Sequence, residues 1–218
     1  MEFKKLERNF YTRDTITVAK ELLGKYLVHV VDGIELKVKI TETEAYCGIY
    51  DKGCHSYGGK ITDRTKVMYS QGGTSYVYII YGMYDCFNVV SGKEGDPSAV
   101  LVRSGQAIDN FDYLSNNRFG KNYDELSNYQ KKNFLNGPGK LCKALKIDRN
   151  CNNINLCENE NLYILDNSEE NSPNIYTGKR INIDYAGEYA EKPWRFYTKW
   201  ELLLFSIDFW CSLCIMNI

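Results

Sequence analysis

The chain has 218 residues, of which 44% are hydrophobic and 25% are charged, and its formal net charge is −1. This composition excludes an intrinsically disordered chain and is typical of a globular protein with a sizeable core. The near-zero total charge excludes a strongly basic protein, so binding to any polyanion would depend on local charge.

The cysteines predict a protein with reduced thiols. Eight cysteines are spread along the chain, and the first ten residues, MEFKKLERNF, lack the apolar segment of a secretory signal. Cys211 and Cys214 form a CxxC pair, but a zinc site needs further ligands and the chain has only two histidines, His29 and His55. We therefore expect no metal site.

The first predicted elements are a helix and a hairpin. Asp14 is suited to cap a helix that Gly24 can end. Apolar, β-branched residues over 25–31 predict a strand, and Asp32-Gly33 is typical of a two-residue hairpin turn. The hairpin should lead directly into a second strand.

That second strand raises a question about two glutamates. Apolar residues at the even positions of 34–40 alternate with polar ones, as in a half-buried strand. The same alternation puts Glu42, Glu44 and Tyr46 of ITETEAY on the apolar face. Burial raises the pKa of a carboxyl group, which suits a general base. The alternative is a strand that ends or bulges at Ile40, with both glutamates in solvent.

The stretch TSYVYIIYGMYDCFN, residues 74–88, predicts an aromatic β-hairpin after a long ordered loop at 47–75. Tyr76 and Tyr78 share a face, and Tyr81 lies at the turn. An aromatic residue at a hairpin tip is suited to act as a wedge or a stacking platform. The alternative is a hairpin whose aromatic residues pack together and partly cover Tyr81.

The second half of the chain predicts mixed structure and a local positive charge. A strand is predicted at 98–102, and NGPGKLCKAL, residues 136–145, should open a short helix whose free N–H groups beside Gly139 and Lys140 suit a phosphate. Residues 117–149 hold eight basic and three acidic residues, which favours a cationic patch. The alternative is an ordinary solvated surface. No repeat or linker interrupts the chain, so we predict one α+β domain over residues 1–218.

Six segments occur in an order that resembles the alkyladenine (3-methyladenine) DNA glycosylase family. They are ITETEAY, His55-Ser56, GTSYVYIIYGMYDCFN, AVLVRS, GPGKLCKAL and AGEYAEKPWRFY, and the resemblance covers roughly residues 8–197. YVYIIYGMY together with ETEAY is its most specific part. The resemblance implies a mostly antiparallel, curved sheet with flanking helices and a protruding β-hairpin. The apolar end of this chain, residues 199–218, departs from the short polar end usual in the family.

The resemblance implies base-excision repair of double-stranded DNA that contains alkylated or deaminated purines. Glu44 matches the residue that activates water, and Arg103 matches a residue beside that water. The water attacks the anomeric carbon of a nucleotide flipped out of the duplex, where the glycosidic bond becomes accessible, and an abasic site remains. No lysine or terminal amine matches a nucleophile, so a monofunctional hydrolase without a cofactor is expected.

The resemblance also assigns the residues that bind the base. Tyr46, His55 and Tyr78 match an aromatic base pocket, and Asn88 matches a residue that clashes with the amino group of guanine. A flat aromatic pocket favours electron-poor alkylated bases through cation–π attraction.

The resemblance also implies which residues contact the DNA backbone and which residue fills the gap in the duplex. Tyr81 matches the residue that fills the space left by the flipped nucleotide, and Gly139 and Lys140 match a phosphate-binding helix start. The expected partner is damaged double-stranded DNA. No membrane contact is expected, because the apolar end is short and is interrupted by Asp208.

Two other functions stay open from the residues alone. One is a non-catalytic nucleic-acid-binding module that stacks bases on tyrosines. The other is a hydrolase of free nucleosides or glycosides that uses Glu42 and Glu44 as an acid–base pair. For a glycosylase, we expect a monomer in the cytoplasm, associated with the nucleoid in a bacterium, or in the nucleus of a eukaryote.

Overall fold

The computed structural model describes residues 3–166 and 174–198. Helices and strands occur in separate runs along this part of the chain, as expected for an α+β fold. The strands are β1 (Tyr26–Val31), β2 (Ile34–Tyr46), β3 (Ser75–Ile80), β4 (Tyr84–Ser91), β5 (Ser98–Ala107), β6 (Leu162–Leu165), β7 (Ile175–Gly178) and β8 (Arg195–Thr198). The α-helices are α1 (Arg8–Tyr11), α2 (Thr15–Glu21), α3 (Phe111–Phe119), α4 (Asn128–Lys132) and α5 (Pro138–Leu145).

The strands form one curled antiparallel sheet with helices against it. The order is β3-β4-β5-β2-β1-β6, with β8 also paired to β2 and β7 paired to β8. The main core lies between the sheet and helices α2, α3 and α5. The predicted α+β class, the antiparallel curved sheet and the flanking helices are confirmed.

β2 changes its core-facing positions in the middle of the strand. Its register with β5 shifts on both sides of Glu42, and Thr41 on β2 and Arg103 on β5 are left without partners. Val38 lies in the main core before this double bulge, and Ala45 lies in it afterwards, so the buried positions change from even to odd. The prediction that Glu44 shares the apolar face of residues 34–40 is therefore wrong, because an added residue reverses the alternation.

The bulge does not expose Glu44, as the alternative interpretation required. The face to which Glu44 turns is covered by a second apolar cluster, which includes Met68 and Tyr76 and packs against Tyr46 and Tyr78. This cluster belongs to the loop that follows β2 and to the β3–β4 hairpin. The bulge thus moves Glu44 from the main core to a smaller aromatic cluster.

The β3–β4 hairpin ends in a turn whose shape depends on two unusual backbone conformations. Tyr81 and Gly82 have φ values of +54° and +69°, as a type I′ turn requires at both central positions. The Met83 N–H donates to the Ile80 carbonyl oxygen at 3.2 Å. The Tyr81 side chain is 73% exposed, so the predicted hairpin and its exposed tip are confirmed.

Helix α5 touches the base of this hairpin through a glycine. Pro138 occupies its first turn, which suits the fixed φ of proline. A Cβ on Gly139 would lie 2.9 Å from the Cβ of Tyr84. Only a residue without a side chain allows this close approach, so Gly139 brings the start of α5 against the hairpin.

Some predictions fall on parts of the chain that the structure does not describe. The apolar end at 199–218 and its Cys211–Cys214 pair lie outside the described residues. Within the described ranges, six cysteines are free thiols, and no cluster of three or more His, Cys, Asp or Glu side chains could hold a metal ion. In the same ranges, no helix has the length and apolar character needed to cross a membrane.

Candidate active site

A cavity of about 720 Å³ opens beside the β3–β4 hairpin. Its walls come from the end of β2, the loop after it, the hairpin, the start of α5 and the segment after β7. The structure brings eight of the nine predicted site residues to its lining, namely Tyr46, His55, Tyr78, Tyr81, Asn88, Arg103, Gly139 and Lys140. The ninth residue, Glu44, lies behind this lining.

Glu44 is a fully buried carboxylate with defined donors on both oxygens. Its Oε1 accepts a hydrogen bond from the Ile181 N–H at 2.8 Å, and its Oε2 accepts one from the Tyr46 hydroxyl at 2.9 Å. Arg103 places a guanidinium nitrogen 3.5 Å from Oε1. Burial raises the pKa of Glu44, while Arg103 and the two hydrogen bonds oppose that rise. The result is a proton acceptor held directly behind two cavity residues.

Glu42 has a different environment from Glu44. Its Oε1 lies 3.2 Å from Nε of Arg103 and 3.1 Å from a guanidinium nitrogen of Arg195, and its Oε2 accepts from Ser104 Oγ at 2.7 Å. Two arginines and a serine hydroxyl therefore bind the two oxygens of the Glu42 carboxylate. Glu42 orients Arg103, whose other side faces Glu44.

His55 and two tyrosines form one aromatic wall. The rings of His55 and Tyr78 meet edge to face with centroids 4.6 Å apart, and Tyr76 and Tyr78 lie 5.3 Å apart. Arg64 donates to His55 Nε2 at 3.2 Å, so Nδ1 carries the proton and donates to the Tyr76 hydroxyl at 2.9 Å. Burial, with a smaller contribution from Arg64, lowers the pKa of His55 to about 4. The imidazole is therefore neutral at physiological pH.

Tyr46 forms another part of the wall and is backed by a buried ion pair. The Arg180 guanidinium lies 4.7 Å from the centre of the Tyr46 ring. Both Arg180 and Asp51 are fully buried at their side chains, with N–O distances of 2.5 and 2.8 Å. Arg180 also donates to the Ala45 carbonyl oxygen at 3.0 Å. This network fixes the ring whose hydroxyl contacts Glu44.

Asn88 lines the cavity with an amide that is fixed by the backbone. Its Nδ2 donates to the carbonyl oxygens of Tyr76 and Cys86, at 3.0 and 3.2 Å. These two hydrogen bonds hold the side chain in one orientation.

The start of α5 adds positive charge at the cavity. Lys140 Nζ donates to the side-chain oxygens of Asn133 and Asn136, at 3.0 and 2.7 Å. Arg118 and Lys143 line the same region. The phosphate role of Gly139 and Lys140 stays a prediction, and the observed part of Gly139 is its contact with the hairpin.

Sequence reasoning did not assign four contributors to the site. These are Asp51, Arg64, Arg180 and the backbone of Ile181. An Asp or Arg in a polar segment gives no local signal of burial, and the partners of Asp51 and Glu44 lie 129 and 137 residues away. Tyr76 was predicted only as a stacking residue on the hairpin face, and the structure shows that it also orients His55.

Comparison with known proteins identifies the family. Residues 9–201 match the family model described as methylpurine-DNA glycosylase. A protein of Clostridium novyi (strain NT) is 54% identical over 196 residues, which are 90% of this chain and 96% of the relative. A protein of Desulfitobacterium hafniense (strain Y51) is 51% identical, over 89% of this chain and 95% of the relative. Both are named "Putative 3-methyladenine DNA glycosylase". The chain belongs to the methylpurine-DNA glycosylase family.

Proposed function

We propose that the chain flips alkylated or deaminated purines out of double-stranded DNA and hydrolyses their N-glycosidic bond with a water activated by Glu44. The observation that carries this proposal is the burial of Glu44 behind the cavity wall, between Tyr46 and Ile181. Because burial raises its pKa, the carboxylate is a better proton acceptor than an exposed glutamate.

The aromatic cavity suits a flipped base. Tyr46, His55 and Tyr78 offer flat surfaces for stacking, and a purine inside the duplex could not reach Glu44. The fixed amide of Asn88 supports a role in rejecting guanine, whose exocyclic amino group needs additional space.

The surface around the cavity suits a DNA duplex. Tyr81 projects from a turn next to the cavity and could fill the gap left by the flipped nucleotide. Arg118, Lys140 and Lys143 provide positive charge at the same opening, where phosphates would pass. The abasic product follows from hydrolysis by water alone, and we propose a monofunctional enzyme without lyase activity.

The acid–base alternative is less well supported by the geometry. A glycosidase of that type needs one carboxyl group that can donate a proton and a second that is free to act as a base or nucleophile. Glu42 is instead bound by Arg103, Arg195 and Ser104, so it is not free to take either part. The remaining alternative is a non-catalytic module that stacks bases, and a base-release experiment distinguishes it from a glycosylase.

The test is base release from defined duplexes. Two labelled duplexes, one with hypoxanthine and one with ethenoadenine, are incubated with the protein and treated with hot alkali, which breaks the strand at abasic sites. A methylated-DNA base-release assay covers the alkylated purines, and borohydride trapping detects any covalent lyase intermediate. We expect alkali-dependent breaks or base release and no trapped complex. Tight binding without release from any substrate would favour the stacking module, and a trapped complex would contradict the monofunctional mechanism.

A further inference from the structure

Arg64 places a guanidinium against the stacking wall of the cavity. Its Cζ lies 4.6 Å from the centre of the Tyr78 ring, and a terminal nitrogen donates to His55 Nε2 at 3.2 Å. Arg64 also lines the cavity and is exposed to solvent. A base that stacks on Tyr78 therefore meets this guanidinium, or meets a ring whose electron-rich face already carries a cation.

Among the described residues, the charge of Arg64 has no counter-ion nearby. Across residues 3–166 and 174–198, no carboxylate oxygen lies within 4.0 Å of its guanidinium, and neighbouring Asp63 pairs with Lys66 at 3.1 Å. His55 beside it is neutral. Two guanidiniums near the base-stacking residues are balanced, because Arg103 pairs with two glutamates and Arg180, behind Tyr46, pairs with Asp51. Arg118, which lines the cavity near the start of α5, donates to the carbonyl oxygens of Asn133 and Phe134.

A guanidinium without a counter-ion at this wall would discriminate between bases by their charge. Many N-alkylated purines, such as 7-methylguanine, carry a positive charge in DNA, whereas hypoxanthine and ethenoadenine are neutral. A cationic base would be repelled by Arg64 and would gain less from a ring whose cation–π capacity is already in use. A neutral base keeps its stacking and can also accept a hydrogen bond from the guanidinium.

We propose that Arg64 is a specificity-determining residue that favours neutral damaged purines over positively charged N-alkylated purines. This proposal deepens the proposed function and rests on it, because it requires that the damaged base enters this cavity. It names a preference among substrates that the aromatic residues alone would not give.

The test compares Arg64→Gln with Arg64→Lys. Gln removes the charge and keeps a hydrogen-bond donor, whereas Lys keeps the charge. Two duplexes of the same sequence, one with hypoxanthine and one with 7-methylguanine, are used for single-turnover rates. The same pair with a 2′-fluoro sugar at the damaged nucleotide, which slows hydrolysis, is used for Kd.

We expect Arg64→Gln to raise the 7-methylguanine-to-hypoxanthine ratio of rates and of affinities on the order of tenfold, since a unit charge within several Å is only partly screened. Arg64→Lys should keep the wild-type ratio within about threefold. An unchanged ratio in Arg64→Gln, including an equal loss on both substrates, would overturn the inference, as would an equal rise in both variants.

The two proposals fail in different ways. If the wild type released no base, but Arg64→Gln still shifted the Kd ratio of the 2′-fluoro duplexes, the catalytic proposal would fail and the charge-selective pocket would stand. If base release occurred and neither ratio shifted, the glycosylase proposal would stand and the role of Arg64 would be refuted. If neither release nor a shifted Kd ratio were observed, both would be refuted.

Discussion

Glu44→Gln should abolish base release while DNA binding persists. Ile181 donates to Oε1 and Tyr46 donates to Oε2 in the wild type. The glutamine oxygen can still accept from Ile181, and its amide can donate to the Tyr46 oxygen after the hydroxyl rotates. The substitution therefore keeps the size and position of the side chain, and removes its negative charge together with its ability to take a proton from water.

The expected loss follows from the position of Glu44. A positioned general base typically contributes a factor of about 10² to 10⁴ in rate, or about 3–5 kcal/mol of barrier. We expect the upper part of this range, because no neighbouring carboxylate among the described residues is placed to substitute. Glu42 is the nearest in sequence, and it is bound by two arginines and a serine hydroxyl.

The assay is single-turnover release of hypoxanthine from a labelled duplex, with Kd measured separately by fluorescence anisotropy. Glu42→Gln is the matched control, since it makes the same chemical change two positions earlier on β2. We expect Glu44→Gln to retain less than about a thousandth of the rate with Kd within about threefold, and Glu42→Gln to retain at least about a tenth. A Glu44→Gln enzyme with more than about a tenth of the rate would refute the assignment of the base.

Three further predictions follow from the same geometry. Tyr81→Asn removes the exposed ring, and asparagine tolerates the left-handed backbone of the turn. The affinity for damaged duplex should therefore fall by about 1–3 kcal/mol without loss of thermal stability. Tyr129→Ala, at another exposed tyrosine, is the control and should change the affinity little. Because burial raises the pKa of Glu44, the single-turnover rate should rise with pH through that elevated pKa. Its ionised form opposes folding, so the stability of the wild type should fall as pH rises above the ordinary pKa of a glutamate. Glu44→Gln should therefore gain Tm over wild type as pH rises, and a constant Tm difference between pH 4 and 8 would contradict this. Asp51→Asn leaves a buried guanidinium unpaired and should lower the free energy of unfolding by about 3–5 kcal/mol in denaturant melts, whereas Asp63→Asn, in an exposed pair, should change it by less than about 1 kcal/mol.

Elements with local signals could be predicted from the sequence. Asp14 accepts a hydrogen bond from the Thr17 N–H at 2.9 Å and caps α2 as expected. Asp32 and Gly33 both adopt positive φ in the first hairpin, at +53° and +76°. In these cases the residue type and the next three or four positions are sufficient, because caps and tight turns are stabilised within the turn itself.

The surroundings of Glu44 could not be predicted in this way. The alternation of apolar and polar residues predicted an inward position for Glu44, but for the wrong reason. That prediction assumed a strand without a bulge from residue 34 to residue 46. The resemblance to a known family assigned its role, but not the donors that hold it. Those donors come from residues that are distant in sequence, such as Ile181, and no local pattern in either segment indicates the contact.

The double bulge explains why the site lies where it does. Without the added residues at Thr41 and Arg103, the alternation of residues 34–40 would direct Glu44 into the apolar core, where an unpaired carboxylate is strongly unfavourable. The same irregularity frees Arg103 from strand pairing and lets it reach both glutamates. It also lies where β1 ends its pairing with β2 and β8 takes its place. The segment before β8 can then supply Ile181 to Glu44 and Arg180 to Tyr46, so one break in the strand gives the carboxylate its position, its cation and its backbone donor.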